Sequence, residues 1–200
     1  MDPGLIFWDV DTQADFMLPE GKLYVPGAEQ IIPILAKLTI WAAQHRVLLI
    51  ASADAHQPGD EEFSLYPPHC LAGTPGQKKI PETSLTPQFT IPNRHGAELP
   101  DAERYPQIVL EKQMFDVFSN PNTDFLLAQL GKPEIVLYGV VTEICVSAAA
   151  KGLLDRGYRV TVVEDAIRHL DAGKGRAFLE EVRRRGGRIV TAGQLLSAAA

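Results

Sequence analysis

Val47-Leu-Leu-Ile-Ala-Ser-Ala53 is apolar at consecutive positions, without the polar alternation of a strand that has one wet face. A short run of this kind reads as a strand buried on both sides, and such strands belong almost entirely to parallel sheets covered by helices. Five further short runs punctuate the chain, at 5–9, 107–110, 134–138, 158–163 and 188–191. Between them lie segments with helical spacing, at 28–45, 123–130, 142–156, 174–185 and 192–198. In the first of these, Ile31, Ile32, Leu35, Leu38 and Ala42 fall on one side. Strands alternating with helices predict a three-layer α/β/α fold around a six-stranded parallel sheet. In such folds ligands bind beyond the carboxyl ends of the strands.

The region 56–106 breaks this rhythm. It contains Pro67-Pro68, Gly73-Thr-Pro-Gly76 and Ile91-Pro-Asn93, and reads as one long loop over the active site. Loops of that length are uncommon in a compact domain and are usually functional or disordered. No repeat or linker divides the 200 residues, so a single domain over 1–200 is expected.

Composition narrows the functional classes. A hydrophobic content of 46% is ample for a packed core without disulfides. The net charge of −6 argues against nucleic acid and anionic membranes as partners. Arg183-Arg184-Arg185 closes a predicted helix, where cations suit the dipole. Two cysteines are not a disulfide framework, which suits a reducing compartment. The opening Met1-Asp2-Pro3-Gly4 lacks the basic start of a signal peptide, and no apolar run nears the roughly 20 residues of a membrane span. A cytoplasmic protein acting on a small molecule is the expectation.

The strand ends carry the chemistry. After the first strand come Asp9, Asp11 and Asp15, and carboxylates beside an apolar strand are costly unless used or paired. After the second come Asp54-Ala-His56 and then Tyr66-Pro67-Pro68-His69. Two residues apart on extended backbone, Asp54 and His56 share a side. One carboxylate and two imidazoles make a frequent divalent-metal set, although the same spacing also occurs in solvated loops. After the third strand comes Glu111-Lys112, where the lysine either pairs with a carboxylate or snorkels at the sheet edge. After the fourth comes Gly139-Val140-Val141-Thr142-Glu143-Ile144-Cys145. A cysteine in the first turn of a helix sits where the dipole favours thiolate, the nucleophilic form. A lone cysteine is otherwise most often a packing residue. Cys70 reads as packing, and His45, His95 and His169 read as surface residues.

Together these segments resemble the nicotinamidase and isochorismatase-like cysteine hydrolase superfamily, nicotinamidase branch. The carriers are Asp11-Thr-Gln13-Ala-Asp15-Phe16, Asp54-Ala-His56 with Tyr66-Pro67-Pro68-His69-Cys70, Lys112, Gly139 to Val146, and Asp165-Ala166. They occur in the family's order from residue 5 to about 196. The resemblance implies a catalytic triad of Asp11 as base, Lys112 as cation and Cys145 as nucleophile. It implies an oxyanion hole from the backbone N–H groups of Val141 and Cys145, with a cis peptide at Val140–Val141. It implies Asp54, His56 and His69 as ligands of one divalent ion, zinc first, iron or manganese as alternatives. Phe16 and Tyr66 would sandwich an aromatic substrate. Tyr66 stands where the family usually has Trp, and Glu143 where it has Asp. The activity implied is hydrolysis of nicotinamide to nicotinate and ammonia through a thioester. Hydrolysis of another small or N-carbamoyl amide is the alternative. Isochorismatase activity needs neither the metal set nor the cysteine, and a non-catalytic scaffold would not need an intact triad. The family includes monomers and larger assemblies, so a homo-oligomer stays open.

Overall fold

The computed structural model describes residues 4–198. In chain order its regular elements are β1 (Leu5–Val10), α1 (Ala14–Met17), α2 (Ile32–Gln44), β2 (Leu48–Asp54), β3 (Gln88–Ile91), β4 (Gln107–Lys112), α3 (Thr123–Gln129), β5 (Glu134–Val140), α4 (Ser147–Asp155), β6 (Arg159–Arg168), α5 (Ala172–Arg184), β7 (Arg188–Val190) and α6 (Ala192–Ala198). All strand pairings are parallel, in the order β3-β4-β2-β1-β5-β6-β7. The chain steps from β1 to β2 in one direction and from β5 to β6 to β7 in the other. Right-handed crossovers therefore put their helices on opposite faces. Accordingly α2 packs with α6, and α4 packs with α5.

Seven strands replace the expected six. The additional one, β3, lies inside the segment read as loop. Its four residues are bracketed by Pro87 and Pro92, and only Ile91 is fully buried. An edge strand needs one protected face only, so the continuous apolar run that marks the central strands is missing. The rest of that segment is not featureless. It folds as short 3-10 turns at Glu61–Ser64, Pro75–Gln77 and Pro81–Thr83. Three smaller differences follow. The helix expected from residue 28 begins as a 3-10 turn, Ala28–Ile31. The segment after β5 begins as a π turn, Thr142–Val146, before α4. The strand expected to stop at 163 runs on to Arg168, so Asp165 and Ala166 lie within it.

The central strands explain the sequence pattern. Every residue of β2 is buried, as are all but the first of β1 and β5. At the carboxyl end of β5, Gly139 has φ 118°, and a Cβ there would sit 2.1 Å from the Val10 carbonyl oxygen. Only glycine lets β5 approach β1 this closely. That approach brings the two strand ends together at the point where the chain changes direction across the sheet. Just before α5, Asp171 accepts from the Gly173 and Lys174 N–H groups as its N-cap.

Candidate active site

Four strand ends meet at one rim. Asp54 and Lys112 are register partners at the ends of β2 and β4, so their side chains stand together on one face. Asp11 follows β1 at φ 52°, which turns it towards them. Lys112 is fully buried and its ammonium pairs with Asp54 and with Asp11, the latter at 2.8 Å. The same nitrogen lies 3.8 Å from the Cys145 sulfur. The Ser52 hydroxyl donates to the other Asp11 oxygen at 2.6 Å. Gln13 holds the loop in place: it donates to the Asp54 carbonyl at 2.8 Å and accepts from the Asp54 N–H at 2.7 Å. The snorkelling alternative for Lys112 is therefore excluded by its burial.

Buried charges set one another's protonation. Burial pushes the Asp11 carboxyl up and Asp54 adds to this, while Lys112 and Ser52 pull it down; the net direction is up. Burial also opposes ionised Asp54, but Lys112 first, then the nearby His56 and His69 rings, outweigh it and hold that carboxyl below its usual range. For Lys112 burial favours the neutral amine, and Asp11, Asp54 and Cys145 together hold it charged. Cys145 corrects the expectation of a resting thiolate. Burial pushes its thiol well above the ordinary value, and Lys112 recovers only part of this against Asp11 and Asp54. That direction favours a protonated thiol at rest, with the Asp11 carboxylate beside the same Lys112 ammonium and able to take its proton.

Asp54, His56 and His69 come together in a second cluster, which includes Glu62. One ligand atom from each of the four lies within 4.8 Å of the others. Both histidines use Nδ1 to fix the ring: His56 against Asp60 at 3.0 Å, His69 against the Pro67 carbonyl at 2.8 Å. Their Nε2 atoms turn inward, buried and without a hydrogen bond. They stand 3.8 Å and 3.5 Å from the Asp54 Oδ2, and His69 stands 3.7 Å from Glu62. These separations are too long for hydrogen bonds. They suit ligands sharing one ion, since bonds of 2.0–2.2 Å in tetrahedral array hold ligand atoms about 3.4 Å apart. Burial and then Asp54 push the Glu62 carboxyl up, and Lys112, His56 and His69 offset only part of this. The donor set fits a divalent ion. Oriented Nδ1 partners of this kind are the usual outer shell of metal-bound histidines.

The sequence does not mark Glu62, Asp60 and Ser52 as site residues. Glu62 lies six positions after His56 in an acidic stretch that resembles any solvated turn, and only its burial distinguishes it. The i,i+4 spacing of His56 and Asp60 was the one available signal.

Phe16, Tyr66, Val141 and Cys145 line one cavity of about 50 Å³, with Asp54, Glu62 and His69 on its wall. A cis peptide joins Val140 and Val141 beside it. The Phe16 ring lies 5.3 Å from the His69 ring. A wider open groove of about 610 Å³ runs past Asp15 and His69, but neither Cys145 nor Lys112 lines it. Asp15 braces the first loop, accepting from the N–H groups of Lys22 and Cys70. Asp9 pairs with Lys79 and accepts from Thr12. Cys70 is buried, and His45, His95 and His169 are exposed. No helix among the described residues is long and apolar enough to cross a membrane.

Known proteins resemble this chain over most of its length. Over 166 residues the chain is 30% identical to the uncharacterized isochorismatase family protein PncA of Bacillus subtilis, spanning 79% of this chain and 82% of that one. Over 192 residues it is 28% identical to a nicotinamidase of Saccharomyces cerevisiae, spanning 80% and 85%. The pyrazinamidase of Pyrococcus horikoshii, solved in complex with zinc, has a TM-score of 0.77 at 26% identity, over 94% of this chain and 99% of that one. The isochorismatase domain, as a family model, matches residues 5–194, and with nearly the whole chain inside that match the protein belongs to the isochorismatase domain family.

Proposed function

We propose that the protein is a cysteine amidohydrolase of the nicotinamidase type, converting nicotinamide to nicotinate and ammonia. The observation that carries this reading is one buried ammonium, Lys112, contacting Asp11, Asp54 and the Cys145 sulfur at once. The amide-hydrolysing relatives support the reaction class. Asp11 takes the thiol proton as the sulfur attacks the amide carbonyl carbon. The resulting oxyanion faces the backbone N–H groups of Val141 and Cys145. Asp11 then gives its proton to the amide nitrogen, the C–N bond breaks, and ammonia leaves a thioester. Asp11 next accepts a proton from water as that water attacks the thioester carbon. The C–S bond breaks, the proton returns to sulfur, and carboxylic acid and free Cys145 result. Lys112 stays charged throughout and offsets the carboxylates around it.

Asp54, His56 and His69, with Glu62 beside them, would hold one divalent ion with a position open to substrate, zinc being favoured by the two imidazoles and by the zinc-bound relative. When bound, that ion supplies a Lewis-acidic contact for the ring nitrogen of the substrate. Metal analysis of protein reconstituted with zinc is expected to give one ion per chain. Asp60→Ala frees the His56 ring and is expected to weaken zinc affinity by about 10–100-fold in competition with a chelating dye. Protein that binds no zinc after reconstitution would rule the metal centre out.

Phe16 and Tyr66 supply the flat apolar surfaces an aromatic amide needs. The test is ammonia release from a substrate panel. The expected order of kcat/KM is nicotinamide, then pyrazinamide, with benzamide and linear carbamoyl amides far below. Benzamide keeps ring and amide but lacks the ring nitrogen, and a site built for a polar atom rejects the analogue without it. A linear amide at the top, with nicotinamide inert, would leave the cysteine hydrolase standing and remove the nicotinamidase.

A further inference from the structure

Leu170 is 52% exposed although it lines the same cavity as Cys145 and Tyr66. It sits in the middle of the three-residue connection between β6 and α5. Short connections of this kind are free to shift unless something ties them. Here the Leu170 N–H donates to the Glu143 Oε1 at 3.0 Å, and the Asp171 N–H donates to the same oxygen at 2.7 Å. Glu143 lies in the π turn that also carries Cys145. The Asp171 carboxylate in turn caps α5. One carboxylate oxygen thus fastens the connection carrying Leu170 to the turn carrying the nucleophile. That link fixes the backbone of a residue that lines the cavity with Cys145. At about 50 Å³ the cavity is far smaller than the roughly 300–1,000 Å³ of pockets that enclose larger ligands. Phe16, Leu23, Val25 and Ile144 make up the apolar part of its wall, and Asp54, Glu62 and His69 the polar part.

We propose that Glu143 and Leu170 form a clasp over Cys145 that limits substrates to those with a single small ring. Leu170 is the specificity-determining residue and Glu143 its positioning residue. The kinetic part of this inference rests on the amidohydrolase reading above; the steric part rests on the geometry alone.

Two measurements separate the two. The first is the kcat/KM ratio of quinoline-3-carboxamide, a fused two-ring amide, to nicotinamide. Leu170→Ala is expected to raise that ratio by about tenfold, mainly through KM, since a few methylenes in an apolar pocket carry discrimination of that order. Glu143→Ala is expected to move it the same way. Glu143→Gln keeps an Oε1 acceptor for the same two N–H groups and should retain the parent ratio. A role confined to folding of the nucleophile turn would instead lower kcat for both amides in both Glu143 variants. The second measurement needs no substrate: the rate of Cys145 labelling by N-phenylmaleimide relative to iodoacetamide, read by peptide mass. Leu170→Ala should raise that ratio, because the bulkier reagent gains more from a wider mouth. An unchanged labelling ratio in Leu170→Ala overturns the clasp, as does Glu143→Gln behaving like Glu143→Ala. If nicotinamide is inert while the labelling ratio shifts, the clasp stands and the nicotinamidase reading falls.

Discussion

Cys145→Ala is expected to abolish ammonia release, by about 10⁴-fold or more, with the fold intact. The sulfur is the only protein atom in the proposed cycle that bonds to the substrate carbon. Its removal leaves Lys112 with both carboxylates, so no buried charge is stranded. The small cavity created adjoins one already present, which limits the structural cost. Denaturant midpoints should therefore stay close to the parent while turnover disappears. Near-normal ammonia release from the variant would refute the mechanism. The resting protonation state adds a second expectation. Because burial keeps the thiol protonated, iodoacetamide should label Cys145 slowly for a catalytic cysteine. It should still label Cys145 before Cys70, which is fully buried and whose thiol burial also pushes up.

Lys112→Met is expected to cost both activity and about 3–5 kcal/mol of stability, the usual result of breaking a buried ion pair from one side. Asp11 and Asp54 would remain in the core without their cation. The sign of the pH dependence follows. In the parent, Lys112 and the two histidines hold Asp54 below its ordinary value. That contribution to stability is complete above the unfolded carboxylate pKa near 3.9 and is lost as pH falls below it. In the variant, burial pushes both carboxyls up, so the folded state binds protons more tightly than the unfolded one. Stability then falls as pH rises from about 4. Urea midpoints of metal-free protein should thus show a larger deficit relative to the parent at pH 8 than at pH 5. An equal deficit at both would mean that the lysine does not govern the ionisation of these carboxylates.

The sequence by itself determined the layered α/β class, because strands buried on both faces leave continuous apolar runs and the helices between them keep a 3.6-residue period. It also determined which strand ends carry ionisable groups. Asp11, Asp54, Lys112 and Cys145 each stand at or just beyond such an end, and parallel strands bring those ends to one rim. What it left undecided depends on distances between segments far apart in the chain. β3 was illegible because an edge strand bracketed by prolines leaves no apolar run. Glu62 was illegible because an acidic turn has the same composition whether it lies in water or beneath two imidazoles. The protonation of Cys145 is illegible for the same reason. A helix terminus is a local feature that a sequence displays, whereas desolvation is the sum of everything packed around the sulfur. The link from Glu143 to Leu170 joins two turns 27 positions apart, and only the closed fold brings that oxygen to those N–H groups. Local periodicity is written along one chain; burial and charge pairing arise only when the strand ends meet.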